Sequence, residues 1–168
     1  MNQGNEFEER NDLQDIDEEK YLLFRLGSEL YGTPLLGVRE VVEPQGVKQI
    51  PNTVSYFKGV INIRGQIVGL VDLRVRFGYG AEKGPSQALL VFETETGPIA
   101  AIVDSVEAVV KIDEGGIERN PNIKCQVPTE FLIGIANYLG QLVTLIDLNR
   151  TLSAEDYIDI QRHKLLAG

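Results

Sequence analysis

Asp72 and Asp147 stand 75 positions apart (147 − 72), at matching points of two similar stretches. Two carboxylates held close together can share a proton and perform acid–base hydrolysis, as in the aspartic proteases. That chemistry uses Asp-Thr-Gly or Asp-Ser-Gly around each acid, whereas these acids read Asp-Leu-Arg and Asp-Leu-Asn. Nucleophilic catalysis has no better start. The single histidine, His163, and the single cysteine, Cys125, are far apart in the chain, so neither a Cys–His pair nor a metal cluster has support. His163 is expected on the solvent face of a C-terminal helix, and Cys125 as a small buried or half-buried side chain. The glycine-rich phosphate loop G-x-x-x-x-G-K-S/T does not occur in the sequence. An enzyme is not expected, and no cofactor or metal is implied.

Recognition chemistry is better supported. Between Pro44 and Ala81 the chain carries Lys48, Lys58, Arg64, Arg74 and Arg76 against Asp72 alone, an excess of four positive charges (5 − 1) in a protein of net charge −9. Arg64 precedes Gly65 at what reads as a hairpin corner, where a guanidinium is free to pair with a partner's carboxylate. An acidic partner surface is the expected ligand of this segment.

The elements that must position Arg64 come from a duplication. GVINIRGQIVGLVDL begins at Gly59 and GIANYLGQLVTLIDL at Gly134; over 19 positions eight residues coincide at a constant offset of 75. Ordinary residue usage would produce about one match. In each copy an apolar strand meets Arg64-Gly65 or Leu139-Gly140 and returns, with glycine supplying positive φ at the second corner position. The following aspartate is placed to cap about one helical turn, DLRVRFG or DLNRTL. Upstream, LYGTPLLGVREV corresponds loosely to ETGPIAAIVDSV, with Gly32 over Gly97 and Val38 over Val103. Ten short runs rich in Leu, Val, Ile and Tyr, from YLLFRL to QLVTLI, are separated by turn residues and indicate an all-β barrel or sandwich. Two related β units in tandem are expected, divided near residues 78–86. A C-terminal helix is expected over about 153–166, started by the capping-box-like Ser153 and Asp156.

Charge and composition bound the rest. The first 20 residues hold eight acids and two bases with few apolar side chains, so residues 1–19 are expected to form a disordered acidic tail. Residues 20–168 supply the domain and are close to neutral, without the basic footprint that nucleic-acid binding requires. One cysteine allows no internal disulfide, and the start lacks the basic and apolar regions of a secretory signal, which points to the cytoplasm. Phe131 to Ile146 is the longest uncharged run, too short and too polar for a membrane helix, so direct membrane insertion is not expected.

YLLFRLGSELYGTPLLGVREVVE, IPNTVSYFKGVINIRGQIVGLVDLRVRFG, IVDSVEAVV and TEFLIGIANYLGQLVTLIDL resemble successive blocks of the CheW family of bacterial chemotaxis adaptors. The likeness runs from about Tyr21 to Leu152, and its most specific part is YFKGVINIRG combined with the upstream V-x-E-V. It departs from the family at Ile63, where Leu is usual, and at Gly69, where Pro is usual. The resemblance implies two five-stranded small β-barrel subdomains sharing a hydrophobic interface, with the C-terminal helix packed on them. It also implies a non-catalytic adaptor coupling the cytoplasmic signalling tips of methyl-accepting chemoreceptors to the regulatory domain of the histidine kinase CheA in membrane-associated arrays. A scaffold of another chemosensory pathway, such as surface motility, is the alternative; the chain is too short to hold the receiver domain of the related CheV coupling proteins. Carried over position by position, receptor contact falls on Val38, Glu40, Val41, Arg64 and Gly65.

Overall fold

A computed structural model describes residues 19–50, 54–79, 87–95, 97–121, 127–151, 156 and 162. The acidic segment before Glu19, Cys125, His163, and the helix expected over 153–166 apart from Asp156 and Arg162 lie outside the described residues. Each of the ten apolar runs forms a strand: β1 (Lys20–Leu26), β2 (Glu29–Pro34), β3 (Val38–Val42), β4 (Phe57–Ile63), β5 (Gln66–Asp72), β6 (Ala88–Thr94), β7 (Gly97–Val103), β8 (Ser105–Lys111), β9 (Leu132–Tyr138) and β10 (Gln141–Ile146). One short α-helix, α1 (Leu73–Arg76), follows β5, and a 3₁₀ turn (Leu148–Arg150) stands in its place after β10. Both begin as expected: Asp72 accepts a hydrogen bond from the Arg74 N–H and Asp147 from the Asn149 N–H, each at 3.0 Å.

The strands form two five-stranded sheets, ordered β8-β1-β2-β10-β9 and β3-β6-β7-β5-β4. The expected boundary near 78–86 divides the chain into halves of five strands, but it does not separate the sheets. Each half gives its first hairpin to one sheet and its last three strands to the other. The registers also correct the upstream alignment. Leu145 stands opposite Gly32, and its repeat counterpart Leu70 stands opposite Ala100, so the early strands correspond at an offset of 68. Gly32 therefore matches Ala100, and Val38 matches Val106. The offset rises from 68 to 75 because the segment between the third and fourth strands is seven residues longer (75 − 68) in the second half.

Charge placement favours this exchange. Arg39 on β3 pairs with Glu93 on β6 at 3.1 Å and reaches Gln66 at 3.2 Å. In the other sheet Glu107 on β8 pairs with Arg25 on β1 at 2.7 Å, and Arg25 reaches Gln141 at 3.3 Å. These are matching positions with the signs reversed. If each third strand stayed with its own half, Arg39 would meet Arg25 and Glu107 would meet Glu93. An exposed pair is worth under about 1 kcal/mol, but like charges facing each other are unfavourable, so both sites penalise the unexchanged pairing.

Burial is layered. One face of the first sheet encloses Tyr21, Leu23, Val143 and Leu145, and one face of the second encloses Ile61, Val68, Leu70 and Val91. The opposite faces meet in a shared core that includes Phe24, Tyr31, Phe57, Leu90, Phe92 and Ile146. Strands buried on both faces are apolar throughout, which is why β1 and β6 do not alternate. Each sheet is closed by the chain that follows its edge strand: Lys48 bridges to Val60 on β4, and Glu118 to Ile135 on β9. The repeated Gly59 and Gly134 permit that closure, since a Cβ there would lie 2.1 Å from the Lys48 carbonyl oxygen and 2.7 Å from that of Glu118. We refer to the first sheet as barrel I and to the second as barrel II.

Both repeat hairpins turn through two residues of positive φ, Arg64 (52°) with Gly65 (83°) and Leu139 (51°) with Gly140 (81°). Asn62 and Asn137 pin the corners by accepting from the Gly65 and Gly140 N–H groups at 2.9 and 3.0 Å. Gly65→Val and Gly140→Val are each expected to destabilise by about 1–2 kcal/mol in urea unfolding, because a β-branched residue tolerates left-handed backbone poorly. Unchanged midpoints for both variants would contradict these corners.

Candidate functional site

Barrel closure brings β3 to the β4–β5 corner, although the sheet order sets them at opposite ends. The Arg64 guanidinium, on an exposed corner, donates to Glu40 Oε2 at 2.9 Å. Glu40 is held more tightly than its partner, with its side chain 15% exposed against 77% for Arg64. Its other oxygen, Oε1, is buried and has no hydrogen-bond partner, the one such side-chain atom among the described residues. A carboxylate oxygen left so is an acceptor waiting for a donor.

The register of β3 divides the expected site over two faces. Val38 and Val41 stand opposite Phe92 and Leu90 of the shared core, whereas Glu40 stands opposite Val91 of the barrel II interior. A register shift at Arg39 makes this switch. Val38 is half-buried and packs on the shared core, while Val41 is 45% exposed. Glu40, Arg64 and Gly65 thus gather at the barrel II mouth, and the two valines face the side where the barrels meet.

The expected basic surface is corrected. Arg74 is buried, chelating Asp72 through Nε and Nη2 at 3.0 and 2.9 Å and reaching Asp104 at 3.2 Å. Hydrogen bonding to Asp72, the largest influence, holds the Arg74 proton more firmly than usual despite burial. Arg76 donates to the Thr151 carbonyl at 2.9 Å, with its guanidinium carbon 5.1 Å from the Tyr56 ring centre and 4.9 Å from that of Phe131. Arg74 is therefore internal, Arg76 is half-buried and held by the chain's own groups, and Arg64 has its counter-charge beside it. The charge gathered at this corner is an ion pair with an unfilled acceptor, not a broad positive field.

The second half lacks this arrangement. Leu139 replaces Arg64, and Ala108, matched through its position opposite Leu23 as Glu40 is opposite Val91, replaces Glu40. Leu139 and Leu142 are exposed there, at 88% and 60%. Asp72, considered above for acid–base work, accepts three hydrogen bonds from Arg74 alone. Among the described residues there is no group of three or more His, Cys, Asp or Glu side chains arranged to hold a metal ion.

The chain as a whole is similar to known proteins. Residues 20–156 match the family of CheW-like domains. The chain is 32% identical over 139 residues to the chemotaxis protein CheW of Klebsiella aerogenes, covering 82% of this chain and 84% of that protein. It is 26% identical over 138 residues to protein FrzA of Myxococcus xanthus, covering 80% and 86%. The crystal structure of the scaffolding protein TtCheW from Thermoanaerobacter tengcongensis superposes with a TM-score of 0.75 at 32% identity, covering 83% of this chain and 90% of that one.

Proposed function

Because the chain belongs to the family of CheW-like proteins, non-catalytic adaptor scaffolds of chemotaxis, we propose that it couples the signalling tips of methyl-accepting chemoreceptors to the histidine kinase CheA. The observation that carries this reading is the Arg64–Glu40 pair with its unfilled Glu40 Oε1. Oε1 is buried at rest, so a polar receptor side chain reaches it by turning the Glu40 carboxylate outward, and it then gains a hydrogen bond to a charged group at an oxygen that had none to lose. Val38 and Val41 supply the apolar part of the same contact, and Gly65 leaves the corner open, with no atom near the place of its missing Cβ. The kinase regulatory domain meets a separate surface, for which the exposed Leu139 and Leu142 of barrel I are suited.

The adaptor works in the cytoplasm and reaches the membrane through the receptor array; among the described residues no helix is long and apolar enough to cross a membrane. Its function is positional, joining two partners through two faces of one double barrel. Affinity capture with a receptor signalling fragment and with CheA, separately and together, tests it. Retention of each partner alone and of both in one complex is expected, and retention of neither would refute the reading. The likeness to the Myxococcus protein supports the second reading, a scaffold of another chemosensory pathway such as surface motility.

A further inference from the structure

We propose that a pocket at Asp147 takes an arginine side chain from the receptor. The pocket, of about 170 Å³, is lined by Thr33, Pro34, Gly37, Asp147, Leu148 and Asn149. The duplication supplies its template. At the offsets of 68 and 75 set by the strand registers, its lining matches Ala101, Ile102, Ser105, Asp72, Leu73 and Arg74. In that half the chain fills the space itself, laying the Arg74 guanidinium on Asp72 in a two-bond clamp and against Asp104. In the pocket half the aspartate and its turn are kept, Asn149 stands where Arg74 would be, and Leu36 stands where Asp104 would be.

The carboxylate has therefore retained its place, while among the described residues the cation's space is open. The Asp147 side chain is 34% exposed against 2% for Asp72. Its ion partner is Arg150, whose Nε lies 3.6 Å from Oδ2, beyond hydrogen-bond length, on a side chain that is 64% exposed. An entering guanidinium would take the place of the exposed Arg150 on the carboxylate, and the aliphatic stem of an arginine would lie along Pro34 and Leu148. Lysine cannot reproduce the two-bond clamp that the other half displays. Gly37 immediately precedes Val38, so a partner seated on β3 reaches the pocket along the same segment. That choice of source rests on the adaptor reading above; the chemistry of the pocket does not.

The test has two arms. In the first, the full chain is titrated with Nα-acetylarginine amide and, as neutral and ammonium controls, the citrulline and lysine analogues, while backbone amide NMR signals are followed. Saturable shifts at Gly37 and Asn149 are expected with the arginine probe alone. Asp147→Asn, which keeps a side-chain acceptor for the Asn149 N–H, should weaken binding about tenfold. Asn149→Arg, which supplies the guanidinium in cis, should abolish it. Absence of saturable shifts, equal response to citrulline, or undiminished binding by Asp147→Asn would overturn the pocket. In the second arm, Asn149→Arg should lose receptor-fragment capture while CheA capture persists. Unchanged receptor capture, or loss of the kinase instead, would overturn the receptor as source and leave the adaptor reading standing. A wild-type chain that captures neither partner would sink the adaptor reading, and the source with it, whatever the probe does.

Discussion

Arg74→Met is expected to destabilise the protein by about 3–5 kcal/mol, a large part of the stability of an ordinary domain. The side chain is 4% exposed, and its removal leaves Asp72, 2% exposed, as a buried charge without its counter-ion. A methionine fills much of the volume, so the loss is electrostatic rather than a cavity effect. The damage is also shared between the barrels. Asp104, which accepts from Arg74 Nη1, accepts from the Gly27 N–H at 2.6 Å through its other oxygen, tying the β1–β2 corner of barrel I to α1 at the end of barrel II. Arg74→Lys restores a charge but not the clamp on Asp72 and should fall between wild type and methionine. Urea unfolding followed by circular dichroism measures both variants; a loss under about 1 kcal/mol for Arg74→Met would show that the cluster contributes little net stability.

What could be read from the chain beforehand divides by range. The ten apolar runs, the hairpin corners and the capped turns after β5 and β10 are local properties, set by alternation, by glycine at positive φ and by an aspartate beside free N–H groups. Each has its counterpart in the structure. Pairing between distant strands is not local, and the exchange of hairpins between halves could not be seen from runs and turns. A signal was present nonetheless: at an offset of 68, Arg25 corresponds to Glu93 and Arg39 to Glu107, charges of opposite sign that pair only between strands of different halves, Arg25 with Glu107 and Arg39 with Glu93. The site divides in the same way. Arg64 stood out because it breaks the repeat, but its partner Glu40 lies across the barrel closure, and counting charges along the chain placed on a free basic surface both Arg74, which is buried, and Arg76, which is half-buried and bonded to Thr151. For Arg74 the clue was its setting, a charge two residues after Asp72 within the apolar run IVGLVDLRV.

Arg64→Glu should leave the fold in place and abolish coupling. At 77% exposure the side chain contributes little to stability, and glutamate can occupy the same corner backbone as arginine at similar cost. Its effect falls on Glu40, where an attractive partner at 2.9 Å becomes a second negative charge. A receptor donor arriving at Oε1 would then meet a displaced and repelled carboxylate, and losing one partner of a buried charged contact costs about 2–5 kcal/mol of binding. Leu139→Arg should not rescue this variant. The matching position on β8 is Ala108, so an arginine at the second corner lacks the counterpart of Glu40, and among the described residues no unfilled buried acceptor lies beside it. Receptor-dependent activation of CheA in a reconstituted mixture is the readout, with circular dichroism to check the fold. If folded Arg64→Glu protein activates the kinase as well as wild type, the ion pair is an ordinary surface contact, and receptor recognition must be sought elsewhere, beginning with Val38 and Val41 on the other face of β3.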